Sequence, residues 1–250
     1  MVTAASQRRQ YLWRPLNLDT TDPLRLLIWP VDCGEAHLDR RRAYLSVDER
    51  ANADRFVHEE HRRAFIHARG GCRAILAAET KNDPTALRFV RGPYGKPRLE
   101  TATHDHALQF NLSHSGGLAC LALHPYAQVG VDIEAHRPVE KDLPEHYFSP
   151  NERAEIAALP AELWTEAFFN CWTRKEAVIK ALGFGLSMPL DAFDVSLAPQ
   201  ACPEIRHIDR EYGQASDWRL AAFVPAPQMA GAVVVAGMLP PEMEIIYLEP

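Results

Sequence analysis

The segment from Phe168 to Gly185 constrains the fold more than any other part of the chain, because its apolar residues lie on nearly every side when it is placed on a helix. At about 100° per residue, one arc of that helix holds an aromatic and aliphatic set: Phe168, Phe169, Trp172, Ile179 and Gly183. The opposite side holds a second apolar set: Cys171, Val178, Ala181 and Leu182. Such a helix is mostly buried, and Gly183 and Gly185 are typical of its C-terminal end.

Glu176 falls inside the aromatic arc of this helix, where an apolar residue is expected. Lys180, one turn later, lies at one edge of the arc, and Lys175 lies at the other edge. A buried carboxylate is costly unless a cation compensates it, and the candidates are Lys180 and a metal ion. An i,i+4 ion pair on an exposed face is the simpler alternative, but the apolar surroundings make it less attractive. A metal ion would leave both lysines free to hold phosphate oxygens.

Two further carboxylates, Asp132 and Glu134, share one face of a predicted strand at 129–134, while three aliphatic side chains share the other. Residues two apart on a strand are separated by about 6.5–7 Å, so both can reach one Mg²⁺ ion, whose oxygen ligands lie about 2.1 Å from it. Gly130, on the carboxylate face, leaves room for a ligand. Solvated acids on a half-exposed strand are the alternative, and for the strand alone this alternative is the better one.

Hydrophobic periodicity predicts alternating strands and helices along the chain, hence an α/β or α+β protein. Strands are expected at 24–31, 108–113, 118–123, 129–134, 195–197, 218–224 and 232–236, and helices at 40–56, 61–80, 151–159 and 163–182. The strand at 129–134 is expected to extend the hairpin of 108–113 and 118–123. Gly70 and Gly71 either weaken the second helix or mark the close approach of a neighbouring element.

The domain organisation follows from polar stretches at two places. Residues 1–23 are polar and are interpreted as a flexible leader. A polar linker at 136–144 divides the remainder into an N-terminal subdomain, 24–135, and a C-terminal subdomain, 136–250.

Composition excludes several classes of protein. The net charge of -6 argues against a nucleic-acid-binding protein, and no apolar stretch is long enough for a membrane helix or a secretory signal. The five cysteines are odd in number and widely spaced, which argues against a disulfide framework or a zinc cluster. We therefore expect a cytoplasmic protein with unpaired cysteines.

Potential phosphate-binding groups precede the acidic strand. Ser113 and His114 are adjacent on a strand and point to opposite faces, so they do not form a nucleophile–base pair. Hydroxyls, an imidazole and a glycine suit anion binding, although a polar strand end explains them equally well. Lys96 lies in a turn between Gly95 and Pro97 that can present it to a phosphate, although a lysine in such a turn is more often simply solvated. A group of arginines at 62–73 forms a basic patch, which fits either an exposed face or a phosphate-rich ligand.

These segments, in this order, resemble the Sfp-type 4′-phosphopantetheinyl transferases over roughly residues 24–240. The matching stretches are GPYGKPRL (92–99), FNLSHSGG (110–117), GVDIE (130–134) and WTRKEAVIKALGFGLSMPL (172–190), with weaker matches at YFSPNE (147–152) and WRLAAF (218–223). The specificity comes from GVDIE followed, at 172–180, by W-T-R-K-E-A-x-x-K, because either motif alone is weak.

The resemblance implies an α+β (α/β-type) fold of two similar subdomains related by a pseudo-twofold. Each would have a small, mostly antiparallel sheet packed on helices, with coenzyme A and Mg²⁺ in the cleft between them. It implies that the metal ligands are Asp132, Glu134 and Glu176. It implies that coenzyme A is bound by Arg62, Lys96, Ser113, His114, Lys175 and Lys180, the two last contacting the pyrophosphate. Where relatives carry lysines in the preceding helix, this chain has Glu49 and Asn52, and Arg50 or Arg55 is the candidate replacement.

The resemblance also implies a reaction, in which a serine of an apo acyl or peptidyl carrier protein attacks the β-phosphate of coenzyme A and releases 3′,5′-ADP. The catalytic residues would be Asp132, Lys180 and Glu176, with Glu176 or a water it holds as the base. Phe184, Leu186 and Met188 are carrier contacts or core residues, and a monomer suffices. The alternatives are a non-catalytic coenzyme A or carrier-protein binder and a Mg²⁺-dependent phosphate hydrolase.

Overall fold

The computed structural model describes residues 24–100, 108–238 and 243–249. It confirms an α+β architecture in which small, mostly antiparallel sheets pack on helices. The expected flexible leader, 1–23, lies outside the described residues. None of the helices in the described ranges is both long and apolar enough to cross a membrane.

Eleven strands and six α-helices are described. The strands are β1 (Leu24–Pro30), β2 (Phe89–Arg91), β3 (Pro97–Leu99), β4 (Gln109–Ser115), β5 (Leu118–His124), β6 (Val129–Ala135), β7 (Phe193–Val195), β8 (Ile205–Ile208), β9 (Trp218–Phe223), β10 (Met229–Ala236) and β11 (Met243–Tyr247). The helices are α1 (Glu35–Tyr44), α2 (Val47–Ala53), α3 (Glu59–Thr80), α4 (Leu143–Tyr147), α5 (Pro150–Ala157) and α6 (Trp164–Leu182).

The first sheet has the strand order β11-β1-β5-β4, and only the β1–β11 pair is parallel. Helix α3 covers one face of this sheet through a core that includes Trp29, Cys72 and Leu76. Of the two alternatives for Gly70 and Gly71, the structure shows the close approach of a neighbouring element. A Cβ on Gly70 would lie 2.5 Å from the Arg41 carbonyl oxygen, and one on Gly71 would lie 2.5 Å from Trp29 Nε1.

The second sheet has the order β6-β10-β9, and α6 covers one of its faces. Its other face joins the first sheet in a shared core, to which β1 contributes Leu26 and Ile28 and β6 contributes Val131 and Ile133. The predicted alternation along β6 is therefore confirmed, because its aliphatic residues enter this core.

The prediction that 129–134 extends the β4–β5 hairpin is wrong. Strand β6 pairs with β10 in the second sheet, and side chains rather than backbone groups join it to β4. Asn111 Oδ1 accepts a hydrogen bond from the Val131 amide (2.8 Å), Ser113 Oγ from the Ile133 amide (3.4 Å) and Ser115 Oγ from the Ala135 amide (3.2 Å). We call this series, Asn111, Ser113 and Ser115, the side-chain ladder; it satisfies the edge of β6 next to β4.

The single helix expected at 40–56 is two helices, because the chain is extended at Leu45 and Ser46. Ser46 then caps α2 in a capping box with Glu49, which satisfies backbone amides at the new N-terminus. Four strands were not predicted, namely β2, β3, β8 and β11.

Subdomain boundaries at 23 and 135 stay predictions. Strand β6 precedes residue 136 in the chain yet pairs with β10, and β11 returns to pair with β1. The five cysteines are unpaired, as expected, and all except Cys202 are buried. Burial raises the pKa of the Cys72 thiol to about 12, so this side chain behaves as a small apolar group.

Candidate functional site

Asp132 lies at the centre of a polar cluster between β4, β6 and α6. Its Oδ1 accepts hydrogen bonds from Ser113 Oγ at 2.7 Å and from Lys180 Nζ at 2.6 Å. The carboxylate is buried, with 5% of the side chain exposed, whereas Lys180 keeps 27% exposed. The strand-borne acid, the helix-borne lysine and the ladder serine therefore converge at one place.

Glu134 lies two residues further along β6, and Ser115 repeats the arrangement found at Ser113. Ser115 Oγ donates to Glu134 Oε2 at 2.7 Å while accepting from the Ala135 amide. Burial raises the pKa of Glu134, the Ser115 hydrogen bond opposes this shift, and the negative charge of Asp132 adds to it. Each ladder serine thus holds one carboxylate of β6 in a fixed orientation.

Glu176 on α6 belongs to the same charged group. Burial raises the pKa of its carboxyl, and the negative charge of Asp132 raises it further. The Lys180 ammonium opposes the shift, and Glu134 contributes in the same direction as Asp132. Three carboxylates from two elements therefore share a region that contains one ammonium group, Lys180, and their mutual repulsion favours the binding of an additional cation.

Gly130 has a different reason from the one predicted. It leaves room for helix α6 and not for a ligand, since a Cβ there would lie 2.2 Å from the Ala177 carbonyl oxygen and 2.3 Å from the Ala181 amide nitrogen. The close approach of α6 to β6 at this point brings Glu176 and Lys180 of the helix to the level of the strand's carboxylates.

The donor set suits a hard divalent cation. Oxygen ligands from carboxylates are what Mg²⁺ prefers, and Asp132 Oδ2 is a buried oxygen for which the described residues supply no hydrogen-bond partner. In the side-chain positions described, no three carboxylate, imidazole or thiol groups form a ready metal cage. The other oxygen of Asp132 is bound to Lys180, so cation binding requires these side chains to adjust.

Lys175 is not brought to this group. Its side chain is 1% exposed and its Nζ forms an ion pair with Glu152, at 2.7 Å. The same ammonium donates to the carbonyl oxygens of Leu190, at 2.6 Å, and Phe193, at 2.7 Å. These contacts tie α6 to α5 and β7, and they leave the ammonium enclosed by protein.

Three other residues that the resemblance implies bind coenzyme A each contact different groups. Lys96 Nζ donates to the carbonyl oxygens of Val129 and Ala181. Arg62 is paired with Glu59 on the first turn of α3, at 2.7 Å. His114 is exposed on the opposite face of β4 from Ser113; partial burial of its ring, followed by the Lys180 charge, lowers its pKa.

Glu49 and the two candidate replacements, Arg50 and Arg55, have different surroundings in and around α2. Glu49 is buried and pairs with Arg73, at 2.5 Å, so it serves the packing of α2 on α3. Arg50 donates to the Leu45 carbonyl oxygen, whereas Arg55 lines a surface cavity of about 310 Å³ with Asn52, Phe56 and Phe65. Arg55 is therefore the better placed of the two candidate replacements to meet a ligand.

The residues that follow α6 lie partly in the core and partly near the surface. Met188 is 2% exposed and belongs to the core around α6. Phe184 contacts the rings of Tyr94, with centroids 5.1 Å apart, and Tyr212, at 5.4 Å. Tyr94 is half exposed, so this aromatic group reaches the surface beside the turn that carries Lys96.

Sequence reasoning missed the positioning roles of Asn111 and Ser115. The signal was present as a period of two, since residues 111, 113 and 115 are all polar on a strand whose intervening residues are apolar or exposed. It pointed to a polar face but not to β6 as the element facing it.

Comparison with known proteins decides the family. The chain is 36% identical over 233 residues to the 4′-phosphopantetheinyl transferase HetI of Nostoc sp., covering 91% of this chain and 95% of the relative. The chain belongs to the 4′-phosphopantetheinyl transferase superfamily. A 4′-phosphopantetheinyl transferase of Bacillus subtilis is 30% identical over 82% of this chain and 92% of its own length. The Sfp enzyme of Bacillus subtilis is 31% identical over 64% of this chain and 69% of its own length.

Two family models match successive parts of this phosphopantetheinyl transferase family member. The model described as the N-terminal part of 4′-phosphopantetheinyl transferases matches residues 33–126. The model of the 4′-phosphopantetheinyl transferase superfamily matches residues 128–230. The second range contains β6 and α6, and hence all three clustered carboxylates.

Proposed function

We propose that this protein transfers the 4′-phosphopantetheine group of coenzyme A to a serine of an apo carrier protein, with Mg²⁺ bound at Asp132, Glu134 and Glu176. The observation that carries the proposal is the convergence of these carboxylates with Lys180, together with the unpartnered Asp132 Oδ2. Membership of the transferase family supports the reaction type.

The chemistry is a displacement at phosphorus. The serine hydroxyl oxygen of the carrier forms a bond to the β-phosphorus of coenzyme A, the bond from that phosphorus to the bridging oxygen breaks, and 3′,5′-ADP leaves. Bound Mg²⁺ would supply charge neutralisation at the pyrophosphate. Such reactions depend mainly on positioning and on electrostatic stabilisation, which are the contributions that this cluster is able to make.

Individual side chains have distinct parts in this proposal. The side chain of Lys180 is 27% exposed, and it can turn from Asp132 toward a phosphate oxygen as a point charge. Glu176, whose pKa is raised, takes the serine proton directly or through a water. Ser113 and Ser115 hold the β6 carboxylates, and Lys175 acts through α6 packing and makes no contact with the pyrophosphate.

The wider binding site is proposed from the same resemblance. Arg62 is partly exposed, His114 is exposed and Arg55 lines a surface cavity, so all three are available to the nucleotide end of coenzyme A. The protein acts as a monomer in the cytoplasm, on an acyl or peptidyl carrier domain.

Intact-mass measurement of apo carrier proteins incubated with the enzyme, coenzyme A and Mg²⁺ tests the proposal. A transferred group adds about 340 Da to the carrier. Asp132→Asn should abolish the gain, whereas Asp39→Asn, at an exposed position of α1, should not. Phosphate release from coenzyme A without a carrier would instead indicate a hydrolase, and binding without mass gain would indicate a non-catalytic binder.

A further inference from the structure

Lys96 joins the two elements that carry the acidic cluster. Its Nζ donates to the carbonyl oxygen of Val129, at 2.9 Å, and to that of Ala181, at 3.0 Å. Val129 is the first residue of β6, and Ala181 lies in the last turn of α6. One ammonium group therefore bridges the start of the strand that bears Asp132 and the end of the helix that bears Lys180.

The turn that carries Lys96 is rigid. The Gly92 amide donates to the Lys96 carbonyl oxygen at 2.9 Å, the Gly95 amide donates to the Gly92 carbonyl oxygen at 2.9 Å, and Pro97 begins β3. Gly95 has a φ of 89°, a conformation that favours glycine. The lysine stem then passes Gly183, where an added Cβ would lie 3.3 Å from Lys96 Cδ. Because the backbone of the turn is fixed and the lysine stem is confined, the Lys96 ammonium can reach few groups other than these two carbonyl oxygens.

The bonds that Lys96 makes are the kind that stabilise structure. The last carbonyl groups of a helix lack intrahelical partners and carry partial negative charge, and Lys96 satisfies one of them at Ala181. Burial, followed by the nearby Arg98 guanidinium, lowers the pKa of Lys96 to about 8. No ion pair with a carboxylate is found for Lys96 among the described residues, so the two carbonyl groups are its identified partners there.

Its location relative to the cluster gives these bonds a consequence. Val129 precedes Asp132 by three strand residues, about 10 Å, and Ala181 directly follows Lys180. Gly130, where α6 lies closest to β6, stands between the two places. The strand and the last turn of the helix are thus joined at two neighbouring points, by Lys96 between Val129 and Ala181 and by the Asp132–Lys180 pair.

We infer that Lys96 is a positioning residue, which sets the separation of β6 and α6 so that Asp132 and Glu134 on the strand can share a cation with Glu176 on the helix. The inference rests on the proposed function for the identity of that cation site. It differs from the role implied by the resemblance, in which Lys96 contacts a phosphate of coenzyme A.

Direct binding of Mn²⁺ to the metal-free full-length protein, measured by calorimetry at neutral pH, separates the two roles. Lys96→Met keeps the stem and removes the donors, and is expected to weaken Mn²⁺ binding roughly tenfold or more, as loss of a group supporting metal ligands does. Binding of 3′,5′-ADP in EDTA should stay unchanged. Lys96→Arg, which retains cationic donors, should keep Mn²⁺ affinity within about threefold of the wild type and serves if Lys96→Met does not fold.

Two controls make the outcome decisive. Arg98→Met removes an exposed neighbouring cation from the same hairpin and should leave Mn²⁺ binding unchanged. Asp132→Asn should abolish it; if that variant binds Mn²⁺ normally, the proposed cation site is wrong and the role of Lys96 is wrong with it. If Asp132→Asn abolishes binding but Lys96→Met and Lys96→Arg both bind Mn²⁺ as the wild type does, or if Lys96→Met loses 3′,5′-ADP binding instead, only the positioning role is overturned.

Discussion

Lys180 Nζ lies 2.6 Å from Asp132 Oδ1, so the lysine of α6 is paired with the acid of β6 and not with Glu176, one turn before it on its own helix. Burial and the charge of Asp132 therefore raise the pKa of Glu176, although the Lys180 charge opposes part of this shift. The ammonium group of Lys180 therefore lies at the place where a cation is proposed to bind.

Lys180→Met separates the two roles of this lysine. Transfer to a carrier should fall by roughly 100-fold or more, because a charge that stabilises the reacting phosphate is lost. The metal-free variant should be about 1–3 kcal/mol less stable, since Asp132 stays buried without its partner. Mg²⁺ should raise the melting temperature of the variant more than that of the wild type, because no ammonium competes for Asp132.

Lys81→Met is the matched control for this prediction, because Lys81 is exposed at the end of α3. It should match the wild type in activity and in the response of its melting temperature to Mg²⁺. An unchanged Mg²⁺ response in Lys180→Met would show that ammonium and cation do not compete.

Gly130→Ala tests the contact between β6 and α6. The added methyl group would meet helix backbone at 2.2–2.3 Å, and backbone atoms cannot move aside as a flexible side chain can. Overpacking of this kind costs about 1–3 kcal/mol or more, and displacement of α6 should also weaken divalent-ion binding. Urea unfolding and Mn²⁺ calorimetry measure the two effects.

Gly34→Ala is the control, because nothing lies within 4 Å of a Cβ at Gly34 and its φ is -59°. It caps α1, where replacing glycine by alanine changes stability by less than about 1 kcal/mol. A stable, ion-binding Gly130→Ala variant would mean that α6 does not approach β6 as described.

Much of the cluster could be predicted from the sequence, because the two periodicities that place its members are local. A period of two put Asp132 and Glu134 on one face of β6, and a helical period put Glu176 among apolar residues of α6. Local sequence does not, however, determine which groups these charged side chains contact. Lys180 faces either Glu176 or a strand acid, depending on how α6 crosses β6. Gly130 and Lys96, which are distant from α6 in the chain, set that crossing.

The pairing of β6 was mispredicted for a related reason. Sequence proximity to β5 favoured a hairpin, but β6 has aliphatic residues that complete a core shared by both sheets, and β10 supplies its backbone partners. The surroundings of Lys175 are likewise set by residues that are distant from it in the chain. Its position at the edge of the arc suggested a phosphate ligand, whereas Glu152, supplied by another helix, encloses it.

Lys175→Met should destabilise the protein without changing how it binds 3′,5′-ADP. Removal of one partner of a buried ion pair costs about 3–5 kcal/mol, and Glu152 is fully buried. Glu152→Gln combined with Lys175→Met should recover part of that loss, since no unpaired charge is left. Urea unfolding of the single and double variants provides the free energies. A stable Lys175→Met variant with weakened 3′,5′-ADP binding would instead support a phosphate contact.

Glu176 should make the stability of the metal-free protein fall as pH rises. Its ordinary pKa of 4.5 is raised in the folded state by burial and by Asp132, so between these two values the folded chain binds more protons than the unfolded chain. The free energy of unfolding must then decrease with increasing pH across that window. In Glu176→Gln this contribution is absent, and its stability relative to the wild type should therefore increase as the pH is raised above 4.5, measured by urea unfolding in EDTA. Mg²⁺ should reduce the difference, whereas Glu162→Gln, at an exposed position, should follow the wild type at every pH. A parallel response of Glu176→Gln and the wild type would contradict the raised pKa.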